Sequence, residues 1–113
     1  MCNNKDNAMN KVIDIVVDCC ATDIGNGQKS LTRDDVLGKR KDENICMTRT
    51  ILVNQLLWAG FTVSTVSALL HRTPQAIRRI NAQNTSYIAS SRAYRIALSE
   101  ATIRCKDIEP GGL

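Results

Sequence analysis

The chain has 113 residues, 43% apolar, 23% charged and only 4% aromatic, so the core of a single globular domain must come from Leu, Ile, Val and Ala. No apolar run approaches the roughly 20 residues of a membrane span, and the polar start MCNNKDNAMNK lacks the apolar centre of a signal peptide. A cytoplasmic protein without membrane contact is expected. Five cysteines (Cys2, Cys19, Cys20, Cys46, Cys105) without a repeated C-x-x-C spacing, beside the single histidine His71, predict free thiols and no metal site.

Taken in chain order, Met9, Val12, Ile13, Val16, Val17 and Cys20 recur at spacings of three and four and predict a helix over 8–21. Gly25, Asn26 and Gly27 mark a turn inside a linker at 22–30. Residues 31–37 predict a short helix capped by Thr32, with Asp34 and Asp35 near its positive end and Gly38 as its stop. Lys39, Arg40 and Lys41 then form a basic loop. A long helix over 44–59 carries Ile45, Leu52, Leu56 and Ala59 on one stripe. Ile51, Val53 and Leu57 widen that stripe, which predicts a central helix buried on more than one side, with Trp58 in the core or a groove.

Gly60 is expected to stop that helix. Thr62 caps the next, whose inward residues are Val63, Val66, Leu69 and Leu70. His71 and Arg72 make a tight turn. Thr73-Pro74 is a helix start, because a hydroxyl accepts from a first-turn N–H and proline at the first helical position has no bond to lose. This helix is expected to reach Ala82 and to break at Asn84-Thr85-Ser86. A last helix over 86–105 places Ile88, Ala89, Ala93, Ile96, Ala97, Ala101 and the Arg104 stem on its packing side. The expected fold is all-α, a small helical bundle. Its expected divisions are an N-terminal helix and linker (1–30), a helix-turn-helix domain (31–105) and a tail (106–113).

The net charge of +4 is unevenly spread. Residues 1–30 hold three Lys against four Asp, and residues 50–113 hold six Arg and one Lys against three acids. Between Glu43 and Glu100 no carboxylate occurs, while Arg49, Arg72, Arg78, Arg79, Arg92 and Arg95 fall inside. A stretch whose only formal charge is arginine suits a phosphate-facing surface.

Residues 62–80 combine these features as helix, short turn and basic capped helix, the layout of a helix-turn-helix. With Val66, Leu70 and Ile77 inward, Gln75 and Arg78 would face base edges and Arg79 a phosphate. Arg72 and the Lys39-Arg40-Lys41 loop would contact phosphates without reading sequence.

The ordered series "DDVLGKRK", "NICMTRTILVNQLL", "FTVSTVSALL" and "AIRRI" resembles the carboxy-terminal DNA-binding domain of the bacterial replication initiator DnaA over about residues 31–82. The likeness includes an arginine where Arg49 stands on the long helix. It implies a helix-turn-helix of the Trp repressor-like superfamily that contacts double-stranded DNA through Lys39, Arg40, Lys41, Arg49, Arg72, Thr73, Gln75, Arg78 and Arg79. The turn HRTPQA is one residue shorter than the family's and lacks its Asp-His-Thr set, so the family's box specificity is not implied.

The expected protein is a free-standing DNA binder without the initiator's ATPase, acting in replication or transcription control of a mobile element. It is expected to have no cofactor and no enzymatic activity. Two alternatives stand beside it. One is a protein-interaction module that uses a basic helical face or pairs its 8–21 helix with a second copy as a homodimer. The other is a small regulator similar to the Trp repressor.

Overall fold

Hydroxyl side chains open four of the helices. Thr32 accepts from the Asp35 N–H, Thr62 from Thr65, Thr73 from Ala76 and Ser91 from Tyr94, all at 3.1–3.2 Å. Each such cap satisfies one of the donors a helix start leaves unpaired, a contribution of about 1 kcal/mol. The computed structural model describes residues 4–23, 32–39 and 41–108. It contains α1 (Asn4–Asp23), α2 (Arg33–Leu37), α3 (Glu43–Trp58), α4 (Val63–Leu70), α5 (Pro74–Ser90) and α6 (Arg92–Cys105). The fold is all-α, as expected. Thr22 and Asp23, expected in the linker, close α1 instead; the rest of that linker (24–30), the loop residue Arg40 and the tail beyond Ile108 lie outside the described residues.

Every other helix packs on α3. Ile51, Leu52, Val53 and Leu56 are fully buried, and Ile45 and Met47 nearly so. Full burial of such a side chain stabilises by about 1.5–3 kcal/mol, which makes α3 the spine of the core. It ends where the sequence places its stop. The Phe61 N–H donates to the Leu56 carbonyl and the Gly60 N–H to Leu57, and Gly60 sits at φ 108°, a conformation that favours glycine. Helix α1 lies against α6 and α3, with Val12, Ile13, Val16 and Cys20 inaccessible to solvent. Its apolar stripe is thus covered by its own chain. Ion pairs from Arg33 to Asp14 (3.6 Å) and from Arg104 to Asp18 (2.9 Å) tie α1 to α2 and α6.

The boundary between the last two helices differs from expectation. Helix α5 continues through Asn84-Thr85-Ser86 to Ser90, and α6 starts at Arg92. Asn, Thr and Ser each disfavour a helix interior by only about 0.5 kcal/mol, far less than Pro. Tertiary contacts outweigh that: the Tyr94 hydroxyl donates to Asn84 Oδ1 at 2.5 Å, and the Tyr87 and Tyr94 rings lie 5.1 Å apart. The break falls at the extended Ser91, whose N–H donates to the Tyr87 carbonyl at the end of α5 and whose hydroxyl caps α6.

On the last helix Ala97 and Ala101 face the core as expected and Ala93 packs against it, joined by Tyr94 and Cys105, whereas Ile96 and, on α5, Ile88 and Ala89 are exposed and Arg104 pairs outward with Asp18. Trp58 is 64% exposed. It shares the azimuth of the fully buried Ile51, seven residues earlier, and is exposed as the last residue of α3, at the end of the helix.

Candidate nucleic-acid interface

The turn between α4 and α5 is built from three residues. The His71 N–H donates to the Ala68 carbonyl and the Arg72 N–H to Ser67, the closing pattern of a helix that ends on a left-handed residue. That residue is His71, at φ 53° and ψ 46°. The Ser67 hydroxyl also donates to the Arg72 carbonyl. Thr73 then caps α5, and Pro74 occupies its first turn.

Ile77, Val66 and Leu70 are fully buried, so α5 is anchored from behind by the inward set that the spacing predicts. With that face fixed, Gln75, Arg78 and Arg79 fall on the exposed side. The α5 segment carries no carboxylate at all, so these arginines have no acidic neighbour on their own helix.

The other basic residues divide. Lys39 is exposed, and its Nζ donates to the His71 carbonyl at 3.0 Å. Lys41 is exposed just ahead of α3. Arg72 is half-buried, donating to the Gly38 carbonyl at 2.9 Å and to Leu70 at 3.2 Å. Burial, and then the charge of Arg49, push its pKa below the ordinary arginine range. Thr73 is exposed but its hydroxyl is engaged as the α5 cap. Arg40 lies outside the described residues.

Arg49 departs from the expected surface role. It is only 4% exposed, and its guanidinium donates to the carbonyls of Val36 (2.8 Å), Gly38 (3.1 Å) and Asp35 (3.3 Å). A five-residue helix has almost no internal partners for its carbonyls, and a cation is favoured at that end of the helix dipole. Arg49 therefore closes the C-terminal end of α2 and fixes where the following basic loop begins.

A cleft of about 470 Å³ lies between α3 and the middle of α5. Lys41 and Arg79 contribute to it together with Ile80, Gln83, Tyr87 and Cys46. Burial, followed by the nearby Cys46 and Glu43, raises the Tyr87 pKa. Gln83 and Tyr87 escape sequence reasoning because a helix that stops at Ala82 never brings them beside Arg79. The periodicity of Ile77, Ile80 and Tyr87 was the available signal. No family model, curated protein or solved structure matches the chain.

Proposed function

We propose that the protein binds double-stranded DNA, with α4, the 71–73 turn and α5 acting as a helix-turn-helix. In this reading Gln75 and Arg78 face base edges in the major groove, where Gln pairs with adenine and Arg with guanine in bidentate fashion. Arg79, Lys39 and Lys41 contact phosphates. Arg72 and Arg49 act one step back, holding the basic loop beside the turn. Thr73 positions α5 through its cap.

One observation carries the proposal. Gln75, Arg78 and Arg79 stand exposed on the first turns of a helix locked by the fully buried Ile77. They do so within a stretch free of carboxylates from residue 44 to residue 99. The resemblance to the initiator domain extends the reading to replication or transcription control, and no catalytic step is assigned. Selection of bound fragments from a random duplex pool tests it. Enrichment of a common site supports the reading, and recovery of no sequence above background at low salt refutes it.

The exposed Trp58 (64%) and Ile103 (67%) favour a second reading, a protein partner docked on α3 or α6. Charge reversal on α5 separates the two, since only DNA binding depends on those arginines.

A further inference from the structure

We propose that the cleft between α3 and α5 binds a small aromatic anion, and that its occupant competes with duplex DNA for Lys41 and Arg79. The competition, though not the site, rests on the DNA-binding reading above. The volume of about 470 Å³ is that of a small-molecule pocket. Ile80 and the half-buried Tyr87 supply its apolar wall. The Tyr87 ring is already fixed by its contact with Tyr94, at 5.1 Å and 34°, so that wall is formed before any ligand arrives.

Charge selects the sign of the occupant. Lys41 and Arg79 line the cleft and are exposed. Arg49, with its Nη1 3.9 Å from Cys46 Sγ, adds buried positive charge beside them. None of the lining residues is a carboxylate; Glu43 lies close enough to act on Tyr87, leaving the surroundings net positive. An apolar, partly aromatic wall under a cationic rim fits a planar ring bearing one carboxylate, sulfonate or phosphate. Because Arg79 follows Arg78 directly on the helix assigned to the groove, an anion held there removes a phosphate contact from the interface.

Among the described cysteines, the half-buried Cys46 reports occupancy, since Cys19, Cys20 and Cys105 are buried. The probe is 1-naphthoate, with acetate at equal ionic strength as control. Iodoacetamide labelling, read at Cys46 by peptide mapping, is expected to slow about tenfold at a naphthoate concentration ten times its Kd. The double variant K41A/R79A, altered only at exposed positions, should lose that protection. Unchanged Cys46 labelling at millimolar naphthoate overturns the site, as does equal protection in K41A/R79A. Naphthoate that protects Cys46 should also weaken duplex binding. Protection with undiminished duplex affinity overturns the competition, whereas protection in a protein that binds no duplex supports the site and defeats the DNA reading instead.

Discussion

Lys39 and Arg72 clasp one another's neighbours: Lys39 Nζ donates to the His71 carbonyl at 3.0 Å, and Arg72 Nη2 donates to the Gly38 carbonyl at 2.9 Å. The pair joins the loop after α2 to the turn before α5. Two basic segments 32 residues apart are thereby held side by side, and Gly38, which also accepts from Arg49, is the shared anchor.

The clasp predicts that Arg72 and Arg79 behave differently. Arg72→Ala should lower thermal stability and duplex affinity together, because it releases the loop as well as removing charge. Arg79→Ala should reduce affinity and leave the melting temperature unchanged. Thermal melts and duplex titrations on both variants make the comparison.

Arg49→Ala should destabilise the fold by about 2–3 kcal/mol, since it strips charged hydrogen bonds from three carbonyls at the end of α2. Gly38→Ala should also destabilise, because an added Cβ would lie 2.9 Å from the Asp34 carbonyl oxygen, which is backbone. Urea denaturation with an unchanged m-value is the measurement.

His71 holds a left-handed backbone that disfavours side chains with a Cβ, by roughly 1–2 kcal/mol. His71→Gly relieves that strain and should be neutral or stabilising, with the greater freedom of glycine in the unfolded chain offsetting part of the gain. His71→Val should destabilise, because a β-branched side chain tolerates the left-handed region less well than His does. The Lys39 contact is to the backbone carbonyl and survives both changes.

Burial pushes the Cys105 thiol up to about 11 from 9.0, with the nearby Cys19 adding to the rise. The folded state therefore keeps a proton that the unfolded chain gives up first. This contribution to stability is complete below pH 9 and is lost as pH rises toward about 11. Urea midpoints should fall across that window, and Cys105→Ala should flatten the decline.

Much of this fold is written in local chemistry. Thr32, Thr62 and Thr73 announce helix starts by side chain alone, and Gly60 announces a stop. The exposed side of α5 follows from Ile77 and a period of 3.6. The errors come from contacts distant in sequence. Asn84-Thr85-Ser86 looks like a break until Tyr94 folds back to hold Asn84. Arg49 looks like a surface charge because nothing local reveals that α2's carbonyls will lie against it. Trp58 looks like a core or groove residue by its place on the central helix, but it is the last residue of α3 and lies exposed at the helix's end.

With Arg49 engaged inward and Arg78 assigned to base edges, the described cations assigned to phosphates are Lys39, Lys41 and Arg79. About three contacts imply a slope of log affinity against log salt near −3. A titration from low to moderate salt should give that value, and a slope near zero would contradict a phosphate-based interface.

The most direct measurement is fluorescence anisotropy of a selected duplex with the wild type and with R78E/R79E. The double charge reversal should abolish binding while the melting temperature stays where it was, because both side chains are exposed. Duplex affinity that survives the reversal in a folded protein would contradict the assignment of α5 as the DNA-contacting helix.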